Sequence, residues 1–263
     1  MSKSKLNSLS NDKAGSLPRA VTILNSIARG SRKGSLLTEL IAREALPRTT
    51  VVRSLDALIA LGWVVKDQQS NRFNLGADLA ALGYSAIARN PLERIAETEL
   101  GLLAEKLNQV VYLTVRAGLD MVCIGKYETR SQIQIGQGGV GLRGPFGMTQ
   151  SCLGIMARMP ATEVYEVIQA NLSRYHRIEG FDETGFREAV KAALKNGFGT
   201  YDNIILDRTT SGIGVAIVDA SDYPVAAIGT TFLTGWLSEP QRQHCILEMK
   251  KSAEKIQKLR FEF

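Results

Sequence analysis

Residues 36–75, LLTELIAREALPRTTVVRSLDALIALGWVVKDQQSNRFNL, constrain the fold more than any other stretch of the chain. They read in order as a helix, a tight turn, a second helix and a short hairpin, which is the order of a winged helix-turn-helix. The second helix starts at Pro47, whose fixed φ and missing N–H suit a first turn, and ends near Gly62, which suits the left-handed position after a helix. Val51, Leu55 and Leu58 fall at i, i+4 and i+7 and make one apolar stripe for packing on the preceding helix. At 100° per residue, Thr49 and Arg53 lie roughly 160° and 200° around from Val51, so they point outward, with Arg48 and Thr50 flanking the exposed first turn. From a recognition helix, Arg reads guanine and Thr meets a phosphate or a thymine methyl in the major groove. After Gly62, Trp63-Val64-Val65 and Arg72-Phe73-Asn74-Leu75 flank a polar tip, which predicts a wing with Lys66 and Arg72 near a phosphate backbone. An ordinary two-helix packing unit with solvated Thr and Arg is the alternative.

The charge distribution separates these two readings in part. At 263 residues the chain is long enough for two domains, and its formal net charge of +6 is unevenly placed. Residues 1–78 carry 12 Lys+Arg against 6 Asp+Glu, whereas the remainder carries 20 of each, so the whole positive excess lies in the N-terminal part. That matches a nucleic-acid-binding head on a neutral body, because phosphate neutralisation supplies most non-specific binding energy. A basic protein-binding face would give the same sum.

Several function classes lack support. No apolar run approaches the ~20 residues needed to span a bilayer, and residues 1–16 hold no hydrophobic signal segment, so a cytoplasmic protein without a membrane partner is expected. Cys123, Cys152 and Cys245 are widely separated without CxxC spacing, which predicts reduced thiols rather than a disulfide or a zinc site. His176 and His244 have no i+4 partner, so no metal is expected, nor any other cofactor. Gly139-Val140-Gly141-Leu142-Arg143-Gly144 satisfies GxGxxG, but Pro145-Phe146-Gly147 follows where a dinucleotide site needs a helix, so a mobile Gly-rich loop over 136–148 is the favoured reading, with or without a gating role at a pocket. Ser151 lacks a His and an acid at readable spacing, and no catalytic residue is assigned.

Along the chain, residues 1–15 are polar and read as a mobile tail, and 16–76 as the winged helix-turn-helix, with Ser16 and Thr38 as expected N-caps and a short strand at 35–37. Residues 77–90 read as a linker helix that either dimerises or packs on its own domain, broken at Asn90-Pro91. Residues 91–263 then read as an effector-binding and oligomerisation domain. It opens with an amphipathic helix marked by Leu92, Ile95, Ala96, Leu103 and Leu107, followed by strands at 110–118, 121–127 and 132–135. Helices between 149 and 196, capped by Gly197, precede strands at 199–206, 212–220 and 224–233 and a final helix over 238–260. Short turns between neighbouring strands predict antiparallel pairing and an α+β domain.

Several segments together resemble the IclR family of bacterial transcriptional regulators. In the N-terminal part they are LPRAVTILNSI (17–27), LTEL (37–40), LPRTTVVRSLDALIALGWV (46–64) and RFNLG (72–76); in the C-terminal part, SCLGIMA (151–157), NGFGTYDN (196–203) and GVAIVDASDYPVAAIGTTF (214–232). The resemblance implies a GAF-like effector domain, homodimers or homotetramers, double-stranded operator DNA as partner, and control of catabolic genes by a small carboxylate, often aromatic. It places backbone donors for that carboxylate at Ser151 and Cys152 and a pocket acid at Asp202, with Gly212, Gly229 and Thr231 where the family often has Cys, Ser and Ser. The two glycines leave room for a larger ligand, or mark a degenerate pocket. An enzyme using this pocket, with Asp202 as acid or base and Ser151 or Cys152 as nucleophile, and a constitutive DNA binder are the remaining alternatives.

Overall fold

The computed structural model describes residues 15–31, 33–89, 92–129, 139–202 and 209–261. The chain divides into two compact units, Met1–Arg89 and Asn90–Phe263. In the first, helices α1 (Ser16–Ala28), α2 (Leu37–Glu44) and α3 (Arg48–Ala60) precede a hairpin of β1 (Val64–Lys66) and β2 (Phe73–Leu75), and α4 (Ala77–Arg89) follows. This is a winged helix-turn-helix. The stripe Val51, Leu55 and Leu58 is buried against Ile23 and Ile27 of α1, Leu40 of α2, and Val64 and Phe73 of the hairpin.

Local chemistry sets the element ends in this unit. Pro47 caps α3 with extended ψ, and Gly62 takes φ +69°, a left-handed conformation that costs glycine nothing. The wing pairs antiparallel, Val64 with Leu75 and Lys66 with Phe73, and the Asp67 carboxylate accepts from the N–H groups of Gln69 and Ser70 at its tip. The strand expected at 35–37 is a single bridge between Ser35 and Phe73. The chain turns helical straight after it, because the Glu39 carboxylate accepts the Leu36 N–H at 2.9 Å and satisfies a donor the helix leaves open. Two expected caps are corrected: Ser16 is already helical with Gly15 before it, and Thr38 lies inside the first turn of α2.

The second unit is a six-stranded antiparallel sheet between two helical layers, ordered β5-β4-β3-β8-β7-β6. Its elements are α5 (Leu92–Leu107), β3 (Val111–Ala117), β4 (Asp120–Tyr127), β5 (Arg143–Pro145), α6 (Gln150–Met156), α7 (Ala161–Tyr175), α8 (Glu183–Asn196), β6 (Gly199–Asp202), β7 (Thr210–Val218), β8 (Pro224–Leu233) and α9 (Glu239–Phe261). On one face, Leu113, Ile213, Val215, Ile217, Ile228 and Phe232 pack against α5 and α9. On the other, α6, α7 and α8 carry a second core with Phe146, Met156, Tyr175 and Phe186 at its centre. Gly197 ends α8 in the left-handed conformation, as expected of a glycine after a helix.

The Gly-rich segment differs from expectation over its described part. Residues 139–142 form a turn held by Gly141 N–H to Cys123 O at 2.8 Å, and Arg143–Pro145 then pairs with β4 as an edge strand, with Phe146 and Met148 buried behind it. It is neither a nucleotide loop opening a helix nor, from 139 on, an untethered flap. The tail at 1–14, the break at 90–91, the strand expected at 132–135, loop residues 136–138 and the end of the strand expected at 199–206 lie outside the described residues.

Candidate functional site

The helix α3 turns one face into the core and shows the other to solvent. Arg48, Thr49 and Arg53 are exposed and Thr50 is half-buried. Thr50 and Arg53 stand on the rim of an open groove of about 600 Å³ between α1 and α3, whose far wall includes Leu17, Val21 and Leu24. Lys66 on the wing is exposed, its ammonium 5.9 Å from the centre of the Phe73 ring. Arg72 is engaged within the unit. Its guanidinium donates to the Gly34 carbonyl at 2.8 Å and lies 3.6 Å from Glu39, the residue that closes the start of α2. Arg72 thus ties the wing to the segment before α2. Arg43 donates to Ser26 O at 2.7 Å and Arg29 pairs with Glu44 at 3.0 Å, so part of the basic excess ties α1 to α2.

In the second unit the sheet register brings distant residues together. Gly199 pairs with Gly214, Gly214 with Gly229, and Gly229 with Tyr112, so three glycines lie side by side across β6, β7 and β8. The first turns of α6 rest on this row. A Cβ built on Gly214 would collide with the Gln150 carbonyl and come 3.0 Å from Ser151 Cα; one on Gly229 would fall on Ser151 Oγ; and one on Gly154 would sit 2.6 Å from Gly214 C. Helix and strands therefore meet backbone to backbone. The next row runs Tyr201, Gly212, Thr231. Over it lies the Gln150 side chain, 2.8 Å from where a Gly212 Cβ would be, and its amide donates to Thr231 Oγ1 at 2.8 Å.

Five of the six residues expected to hold a ligand thus converge at the first turn of α6, in roles partly unlike those expected. Ser151 is buried with its hydroxyl over Gly229. Cys152 is fully buried, and its N–H is taken up by Thr149, whose carbonyl and hydroxyl accept it at 3.0 and 3.4 Å. Burial pushes the Cys152 thiol pKa up despite the Thr149 hydrogen bond. The room expected at Gly212 and Gly229 is already filled by α6. The absent side chains there allow the helix to approach, which is the physical reason for glycine at both positions.

Asp202 stands apart, in a forked pair with Arg242 at 2.9 and 3.1 Å, and Arg242 in turn lies 5.3 Å from the centre of the Phe232 ring. Partial burial alone would raise the Asp202 pKa, but hydrogen bonds from Arg242 and Ser211 together with the Arg242 charge outweigh it and hold the carboxyl below the usual range. A carboxyl whose folded pKa is depressed contributes stability above its unfolded pKa and loses it as pH falls through the folded value. Asp202→Asn should therefore show a shallower loss of melting temperature than wild type as pH drops below about 4, checked by thermal melts across the acid range. The half-exposed pair limits the effect to about 1 kcal/mol.

Sequence reasoning missed Gln150, Arg242 and two tyrosines. Tyr112 and Tyr201 sit at opposite ends of the two rows on the α6 face, each 7% exposed, and neither hydroxyl has a hydrogen-bond partner among the described residues. Burial pushes the Tyr112 hydroxyl up to about 12 and Tyr201 higher still, so both are neutral donors. Polar groups buried in this way are normally satisfied by protein, water or a bound molecule. Among the described residues no three His, Cys, Asp or Glu side chains form a group that could hold a metal, and no helix is long and apolar enough to cross a membrane.

A basic winged helix-turn-helix followed by a separate sheet-and-helix unit defines a DNA-binding transcriptional regulator. Comparison with known proteins gives the family. The model described as the IclR helix-turn-helix domain matches residues 16–68, and the one described as the bacterial transcriptional regulator IclR C-terminal matches residues 84–258; the chain belongs to the IclR family of transcriptional regulators. It is similar to the HTH-type transcriptional regulator KdgR of Escherichia coli K12, 24% identical over 93% of this chain and 92% of that one. It is also similar to KipR of Bacillus subtilis 168, 22% identical over 84% of this chain and 87% of the relative. The fold is that of the IclR regulator from Alicyclobacillus acidocaldarius, with a TM-score of 0.76 at 21% identity over 94% and 99% of the two chains. It is likewise that of an IclR homolog from Microbacterium hydrocarbonoxydans complexed with 4-hydroxybenzoate, with a TM-score of 0.72 at 18% identity over 95% and 100%.

Proposed function

We propose that this regulator is ligand-responsive, that it acts on catabolic genes, and that it binds double-stranded operator DNA as a cytoplasmic homodimer or homotetramer. The observation that carries the DNA-reading part is the outward face of α3, where Arg48, Thr49 and Arg53 are exposed opposite a core-packed stripe. Thr50 and the wing Lys66 complete the surface, and Arg72 holds the wing in place. Residues 16–76 would read DNA, 77–90 link, and 91–263 bind effector and oligomerise. The effector is a small organic acid, set between α6 and the sheet near Ser151 and Thr231. A structural neighbour complexed with 4-hydroxybenzoate supports an aromatic carboxylate as one probe.

The enzyme reading is weaker. The Cys152 thiol is packed, with its pKa pushed up, and Asp202 is held as a carboxylate by Arg242, so neither is set up as a nucleophile or a proton shuttle. The test is to titrate DNA from the chain's own promoter region with the full-length protein, with and without pyruvate, benzoate and 4-hydroxybenzoate. Effector coupling of typical size changes operator affinity about 5- to 150-fold. Tight DNA binding that none of these acids alters would favour a constitutive binder, and consumption of an acid would favour an enzyme.

A further inference from the structure

The row Tyr201, Gly212, Thr231 has an unusual occupant at its centre. Gly212 leaves the strand without a side chain, and the space is taken by the aliphatic part of Gln150, reaching in from the first turn of α6. The Gln150 amide is then fastened to Thr231 Oγ1 at 2.8 Å. Its backbone rests on Gly214 and cannot move without the helix, whereas the side chain is half-exposed. Tyr201, the neighbour of Gly212 on β6 in the same row, is buried with no partner for its hydroxyl among the described residues, whereas Tyr112 lies two strands from Gly212, beside Gly229.

Turning the Gln150 side chain away would open a space over Gly212, bordered by Thr231 with its hydroxyl on one side and by Tyr201 on the other, which suits a small molecule that carries oxygen acceptors. We propose that Gln150 is a side-chain stopper in this recess, and that a small carboxylate enters by displacing its amide from Thr231. This rests on the effector reading given above and adds the residue that decides how readily the site opens. A neutral hydrogen bond between side chains holds a closed state by no more than about tenfold in an equilibrium. The stopper is therefore weak enough to be moved by a ligand and strong enough to set its affinity. It also excludes ligands that cannot offer Thr231 an oxygen in exchange.

The test is calorimetric titration of the full-length protein with benzoate and with pyruvate, comparing wild type with Gln150→Ala and Gln150→Met. Alanine at a reachable first-turn position keeps the helix and empties the recess; methionine keeps the volume and drops the amide. Gln150→Ala should bind at least one probe several-fold tighter than wild type, up to about tenfold, and Gln150→Met, which loses the hydrogen bond but keeps the bulk, should gain clearly less. Melting curves of the unliganded variants show that each is folded. If Gln150→Ala gains no affinity, or Gln150→Met gains as much, the stopper is wrong. Equal binding by all three proteins would remove the stopper and leave the effector reading standing, whereas binding by none would remove both.

Discussion

Gly214→Ala should destabilise the C-terminal unit by about 3 kcal/mol, because the added methyl has no rotamer in which to escape. It would meet the Gln150 carbonyl and Ser151 Cα, which are backbone atoms of a helix that is itself seated on Gly199 and Gly229. Relief requires lifting α6 off the sheet, and with it the buried side chains of Leu153, Ile155 and Met156. Gly101 is the matched control. It lies inside α5 with nothing within 4 Å of an added Cβ, so Gly101→Ala removes unfolded-state freedom without a clash and should stabilise by about 0.4 to 1 kcal/mol. Urea denaturation followed by circular dichroism separates the two, since midpoints should move in opposite directions. Wild-type stability in Gly214→Ala would mean that α6 does not rest on the glycine row.

The same row shows where sequence reasoning stops. Element type was legible wherever one local cause dominated. Pro47 and Gly62 bound α3, the Val51, Leu55, Leu58 spacing gives its buried face, and Gly197 ends α8. The antiparallel α+β class followed from the short turns, including the one at Asp222, where φ is +64°. The edge strand β5 was not legible, because Arg-Gly-Pro has no strand propensity and pairs only since β4 offers it an edge. The candidate site was half legible. Family resemblance places Ser151, Cys152, Gly212, Gly229 and Thr231 near one another, but register decides what each of them touches. Nothing in the sequence says that Gly199, Gly214 and Gly229 stand in one line, or that Gln150 reaches across Gly212 to Thr231. Glycine in place of a side chain reads as open space until the helix that fills it is known. In the same way, Arg72 looks like a phosphate contact until the Gly34 carbonyl is seen to hold it.

That difference separates the arginines of the DNA-reading unit in an operator titration. Arg48→Ala and Arg53→Ala should each lose about 1 to 3 kcal/mol of operator affinity if the guanidinium makes a forked base contact, or should lower the salt slope by about one if it meets a phosphate. The double variant should lose the sum, about 2 to 6 kcal/mol where both make base contacts, since more than a turn of helix separates the two and they share no partner among the described residues. Arg72 should behave otherwise. Its guanidinium is spent on Gly34 O and Glu39, so Arg72→Ala should weaken binding by loosening the wing while leaving the salt slope of the remaining contacts unchanged. Arg72→Lys should not restore binding, because an ammonium cannot span the carbonyl and the carboxylate as the planar fork does. Titrations of each variant at several salt concentrations read both quantities at once. Unchanged affinity and slope in Arg48→Ala and Arg53→Ala would move the reading surface off the start of α3. A slope change of about one in Arg72→Ala would return Arg72 to the phosphate backbone.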